Sequence, residues 1–182
     1  MEKIKKQIAF GLTLLFILIS CTEKQDFDQF DEIRLDPTLE ASILYVEAPE
    51  STINLVPSMN FISQDFNFDA FSEDYLAERV VEGVIIYEVE NTTSKTLEIL
   101  VEFLDEAGNV LDTESFNIDP APQPVLQREI FYGMGGRSID IIKNLSGIRV
   151  SATNLGDTSS TSSLPEPKVL LRSSGRFTFS LR

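Results

Sequence analysis

The sequence predicts an all-β fold, an antiparallel β-sandwich with one or two short helices, and three observations carry that expectation. Apolar residues in the body of the chain recur with period two: Leu97, Ile99, Val101 and Phe103 share one side of their run, while Glu98 and Glu102 lie on the other. That pattern belongs to a strand with one buried and one wet face. Turn-forming clusters interrupt such runs every 8 to 12 residues or so, the spacing of sandwiches and barrels. No apolar stretch of period 3.6 is long enough to supply a helical layer.

Taken in order, the 182 residues begin with an address. Lys3, Lys5 and Lys6 precede an unbroken apolar run from Ile8 to Ile19. Twelve residues at about 1.5 Å each would cover only about 18 Å of a hydrocarbon layer roughly 30 Å thick, so the run is too short to span a membrane as a helix. Residues 1–20 therefore read as a cleavable signal. Residues 21–37 follow as an acidic tether, with Glu23, Asp26, Asp28, Asp31, Glu32 and Asp36 against Lys24 and Arg34. Few apolar residues and many like charges disfavour a packed structure there.

Residues 38–182 are expected to form the single domain. Asp65-Phe66-Asn67-Phe68-Asp69 alternates as a strand with both rings inward. It also matches the first half of a calcium loop, but Ala70 stands where Gly is required and Leu76 where a bidentate Glu belongs. A short helix is expected over residues 73–79 behind a Ser72 cap, its first-turn acids meeting the helix dipole. Ile85, Tyr87 and Val89 point inward from a central strand. The loop Asn91-Thr92-Thr93-Ser94-Lys95 leads to the strand containing Leu97, and Asp105-Glu106-Ala107-Gly108-Asn109 makes a hairpin to the next. Together these predict a three-strand meander between Glu82 and Ile118. Pro120, Pro122 and Pro124 then remove backbone donors and end the ladder.

Gly133-Met134-Gly135-Gly136-Arg137-Ser138 reads as a strand-to-helix turn, with Ser138 capping a helix over residues 139–145 that ends near Gly147. Its glycines lack the spacing of a phosphate-binding loop, and Arg137 is the one strong anion donor nearby. Residues 148–153 alternate again. Residues 156–165, rich in Ser and Thr, read as a mobile loop, and Phe177 and Phe179 mark a final alternating strand. The sandwich is immunoglobulin-like in style only, because a Cys pair and Trp are absent. A β-barrel is the alternative.

Composition excludes several functions. With no His and one Cys there can be no His/Cys zinc site, no His-dependent nucleophile and no intramolecular disulfide. Removing residues 1–20 takes away one acid and three bases, leaving 28 acids and 12 bases, a charge of −16. A chain so acidic is repelled by phosphate backbones, so nucleic acid is not an expected partner. The acids concentrate between Thr22 and Glu90, where 17 acids meet 3 bases, whereas the last 16 residues carry four bases and no acid. Paired carboxylates for hydrolysis occur by chance in such a composition, and no acid sits in an informative motif. The four tyrosines, Tyr45, Tyr75, Tyr87 and Tyr132, mostly fall on inward phases and are expected in the core.

Leu18-Ile19-Ser20-Cys21 resembles a bacterial lipobox: a branched apolar pair, a small residue and then Cys. With the acidic spacer and the β-rich body, the chain resembles small bacterial lipoproteins. The resemblance implies that Cys21 receives a diacylglyceryl thioether and becomes the acylated N-terminus, and several acyl chains anchor firmly. Glu23, Lys24, Asp26 and Asp28 also resemble the surface-export signals of some Gram-negative lipoproteins. The expected protein is a non-enzymatic binding module of the cell envelope, attached to the outer membrane through Cys21. It needs no cofactor and meets an envelope protein or a glycan; a carboxylate-based hydrolase on glycans or peptides is the alternative.

Overall fold

The alternation along the chain becomes eight strands in a computed structural model that describes residues 2–5, 35–56 and 59–181. Every strand among the described residues belongs to the unit Arg34–Arg182. The strands are β1 (Thr38–Pro49), β2 (Asn60–Asn67), β3 (Val80–Asn91), β4 (Leu97–Leu104), β5 (Val110–Ile118), β6 (Leu126–Tyr132), β7 (Gly147–Asn154) and β8 (Lys168–Phe179). Three short helices join them: α1 (Glu50–Ile53), α2 (Asp74–Ala77) and α3 (Ile139–Lys143).

The strands make two four-stranded sheets, ordered β1-β8-β3-β6 and β2-β7-β4-β5, and all their pairings are antiparallel. The pairs 1/8, 2/7, 3/6 and 4/5 are nested in sequence, as if one long hairpin had been rolled up so that alternate pairs fall in alternate sheets. This is the wiring of a jelly roll. The sandwich expected from the sequence is thus present, but its connectivity differs from the immunoglobulin style. Both sheets have open edges, at β1 and β6 in one and at β2 and β5 in the other, so the body does not close as a barrel.

The predicted meander is also corrected. β4 and β5 form a hairpin, but β3 lies in the opposite sheet. The loop between β3 and β4 is shaped by Asn91. Its amide donates to the carbonyls of Lys95 and Asp119, and its Oδ1 accepts from the backbone and hydroxyl of Thr93. Every polar position of that buried side chain is used, which fixes a loop that carries the chain across instead of back.

The inward phases pack as the sequence predicts. Leu97, Ile99, Val101 and Phe103 of β4 are at most 2% exposed, as are Ile85, Tyr87 and Val89 of β3. Phe177 and Phe179 of β8 are buried, and Phe71, just before α2, meets Phe177 edge-on with ring centres 5.0 Å apart. Fully burying each such side chain contributes about 1.5–3 kcal/mol, so the sandwich is held mainly by these two facing rows. Ser138 caps α3 by accepting from the Asp140 N–H at 3.2 Å. The helix stops at Lys143, and Gly147 already belongs to β7. Ser72, expected as the α2 cap, instead donates its hydroxyl to the Asp69 carbonyl.

The basic tail and the acidic first half are reconciled by topology. β8 lies between β1 and β3, so Arg176 meets Glu40, Arg172 meets Glu88 and Lys168 meets Glu47. Opposite charges on neighbouring strands stabilise a pairing register modestly, by about 0.2–1 kcal/mol each.

Candidate functional site

Leu18, Ile19, Ser20 and Cys21, and the acidic segment with Glu23, Lys24, Asp26 and Asp28, lie outside the described residues. The polar constellations described below all belong to the β-sandwich.

The first closes the side of the sandwich between edge strands β5 and β6. Alternation along β5 turns Asp112 and Glu114 inward with Phe116 and Ile118, and β6 turns Arg128 and Tyr132 toward them. Arg137, from the glycine-rich turn, donates Nη1 to Asp112 at 2.6 Å and Nη2 to Glu114. Arg128 donates to Glu114 at 2.8 Å, and its guanidinium lies over the Phe116 ring. The Tyr132 hydroxyl donates to Asp112 at 2.7 Å. Burial opposes the charge on Arg137, but its bonds to both carboxylates outweigh burial and raise its pKa. Tyr132 is pushed up by burial and then by its bond to Asp112, and Tyr87 by burial and then by the charges of Glu114 and Asp112. Two acids and two guanidinium groups balance, leaving neither carboxylate unpaired for general acid or base work.

The turn itself is built around its glycines. A Cβ on Gly136 would lie 2.2 Å from the Phe131 carbonyl oxygen. This close approach returns the chain so that the Arg137 N–H bonds to that carbonyl at 2.8 Å. The loop is the strand-to-helix turn expected, and the Arg137 guanidinium, its one strong donor, is engaged by two acids of its own chain.

The second constellation fastens the segment expected to be a mobile loop. Lys95 is wholly buried, and its ammonium donates to Asp157 Oδ1 at 3.0 Å and to the carbonyl and hydroxyl of Ser160, both at 2.7 Å. Glu50, the first residue of α1, accepts from the backbone and hydroxyl of Ser94, both at 2.6 Å, and from the Ser162 N–H at 2.9 Å. Burial works against the Glu50 charge, but these donors prevail and hold its pKa below the usual range. Asp157 is held well below the ordinary carboxylate range, first by the Ser160 N–H and then by Lys95. Residues 156–165 are thus tied to two separate parts of the chain, the loop between β3 and β4 and the start of α1. Sequence reasoning missed Lys95 because its partners lie more than 60 positions away.

The tyrosines divide. Tyr87 and Tyr132 are buried as expected, whereas Tyr45 is 62% exposed and Tyr75 is 59% exposed. Leu44, Val46 and Ala48 point inward, so the alternation that places Tyr45 outward is present in the sequence. Of the segment expected as a strand, Asp65, Phe66 and Asn67 end β2, while Phe68 and Asp69 lie beyond it, and Asp65 forms a two-pronged pair with Arg149 at 2.8 and 3.0 Å. Clefts of about 570 and 580 Å³ lie beside α2 and α1, and a third of about 380 Å³ lies on the outer face of the first sheet. None of the three is lined by Asp112 or Glu114.

No family model and no curated protein matches the chain. Among solved structures, it is similar to that of nora virus, with 9% identity over 82% of this chain and 60% of that one, and a TM-score of 0.41. It is similar to turnip yellow mosaic virus at 8% identity, covering 81% and 93%, with a TM-score of 0.39. For the VP2 subviral particle of infectious bursal disease virus the values are 8% identity, 81% and 33% coverage, and a TM-score of 0.38. The chain spans about a third of that VP2 chain. These likenesses concern the fold alone.

Proposed function

We propose that this chain is a lipid-anchored protein of the bacterial cell envelope, attached to the outer membrane through Cys21, whose β-sandwich is a non-enzymatic binding module for an envelope protein or a glycan. The observation that carries the reading is Leu18-Ile19-Ser20-Cys21 placed directly after a basic start and a short apolar run, with the only Cys of the chain in the acceptor position. Thioether formation requires a thiol, and the small Ser20 admits a peptidase to the bond before it. Binding is favoured over hydrolysis because the inward acids Asp112 and Glu114 are shared between Arg137 and Arg128. A glycosidase instead keeps one carboxyl protonated and the other available across a substrate cleft.

Cell fractionation of Cys21→Ser tests the anchor. The variant is expected to leave the membrane fraction for the soluble envelope fraction, and unchanged membrane association would refute the reading. Glu23, Asp26 and Asp28 are proposed to direct export to the outer surface. Replacing all three with Ala should then protect the protein from protease added to intact cells; unaltered cleavage would reduce the segment to a plain spacer.

A further inference from the structure

We propose that the outer face of the first sheet binds a neutral oligosaccharide laid across its strands. The inference rests on the binding-module reading and deepens it by assigning a site and a ligand class. Strand register sets the shape. Tyr45 of β1, Arg172 of β8 and Glu88 of β3 are successive register partners and form one row across the sheet. Glu40 and Arg176 stand in a second row, and between the two lies a row of smaller side chains, Ser42, Ser174 and Ile86. Arg172 and Arg176 are four residues apart, so the ridges are separated by about 13 Å along the strands. The first row and the smaller side chains beside it line a trough of about 380 Å³, within the range of small-ligand clefts at roughly 300–1,000 Å³, whereas Glu40 and Arg176 stand outside its lining.

Charge selects the ligand class. Each ridge holds one acid and one base already facing each other, Arg172 with Glu88 at 3.4 Å and Arg176 with Glu40 at 3.4 Å. The trough therefore carries no net charge, and the strongly acidic chain around it disfavours anions. What it offers is an exposed ring, serine hydroxyls, and the N–H groups and carboxylate oxygens that the ion pairs leave over. Sugars present the complementary surface, with C–H faces that pack on a ring and hydroxyls that both donate and accept.

Tyr45 is the platform. Its hydroxyl donates to Glu47 at 2.9 Å, and Glu47 is held in turn by Lys168 at 2.8 Å, so the ring is oriented before any ligand arrives. A fixed ring loses little freedom on binding. The other exposed tyrosine is already occupied: the Arg79 guanidinium lies 3.7 Å from the centre of the Tyr75 ring.

The test titrates the full-length protein, held in a non-glycosidic detergent, with neutral gluco-, manno-, galacto-, xylo- and chito-hexasaccharides by isothermal titration calorimetry. At least one should bind saturably, Tyr45→Ala should weaken it tenfold or more, and Ser174→Trp should abolish it by filling the trough. Tyr75→Ala should leave binding unchanged. Tyr45 is exposed on an edge strand, so its removal spares the core, and circular dichroism confirms the fold of each variant. Binding by none of the five sugars overturns the proposal, as does binding that Tyr45→Ala leaves intact. A preference for charged glycans or peptides would equally overturn it. None of these outcomes bears on Cys21, whose fractionation test stands separately.

Discussion

Replacing Lys95 with Met tests whether one buried cation holds the 156–165 segment in place. All three N–H groups of the ammonium have acceptors, in Asp157 and Ser160, and Met removes all three bonds while keeping most of the side-chain volume. Deleting one partner of a buried pair costs about 3–5 kcal/mol when the other stays buried and charged. Asp157 is 57% exposed and keeps the N–H groups of Ser159 and Ser160, so water can take over its lost contact. The lasting loss is the pair of charge-assisted bonds to Ser160, each worth about 1.5–3 kcal/mol, partly offset by the easier burial of Met. The expected destabilisation is about 2–3 kcal/mol. For a domain of this size that lowers Tm by roughly 5–10 °C, measurable by circular dichroism. Asp157→Asn retains an acceptor for both serine amides and should lower Tm by less than half as much. A Tm within about 2 °C of the parent for Lys95→Met would show that the Lys95 bonds do not hold the segment. Equal losses for the two variants would shift the anchorage to the Asp157 turn.

The remaining predictions address the other constellations. Arg137→Met leaves Asp112 and Glu114 without their shared donor; because the guanidinium is 38% exposed and Arg128 still serves Glu114, urea denaturation should show a loss of about 2 kcal/mol, below the value for a fully buried pair. Neutralising both acids in the same chain, as Asp112→Asn and Glu114→Gln, should recover most of it, and no recovery would contradict the charge-balance account. Gly136→Ala drives a Cβ to 2.2 Å from the Phe131 carbonyl, whereas Gly135→Ala meets open space and carries only the strain of its positive φ. The first should therefore unfold in less urea than the second, whose loss is about 1 kcal/mol; the reverse order would refute the close approach. The depressed pKa values of Glu50 and Asp157 mean that stability from these groups is present above their unfolded values, near 4, and is lost as pH falls through the folded ones. The Ser94 and Ser162 amide signals should accordingly titrate with a midpoint below the ordinary Glu value of about 4.3, and a midpoint at or above it would contradict the bonding at Glu50.

Alternation and the α3 cap were legible in the sequence, whereas strand partners and the Ser72 bond to Asp69 were not. The inward phases of β3, β4 and β8 follow from alternation within a few residues, and the Ser138 cap follows from a single turn of chain. Strand partners do not, since β1 pairs with β8 119 to 140 positions away and nothing in either strand names the other. The five-residue link after β3 is short enough for a hairpin. Only the saturated Asn91 side chain, reaching Asp119 from 28 positions away, shows why the chain crosses to the other sheet. Lys95 was missed for a similar reason: lysine is rarely buried without partners, and its partners come from the far loop. The outward phase of Tyr45 is readable beside Leu44, Val46 and Ala48, which alternate with it toward the core. Cys21 is the opposite case, a residue whose proposed acylation rests entirely on its immediate neighbours in the sequence.

The lipid anchor is tested most directly by mass spectrometry of the N-terminal peptide released from the mature, membrane-extracted protein. Acylation at Cys21 predicts a chain beginning at Cys21, with residues 1–20 removed and the mass of a diacylglyceryl group on the cysteine sulfur. An unmodified Cys21, or a chain that still begins upstream of it, would contradict the lipid anchor.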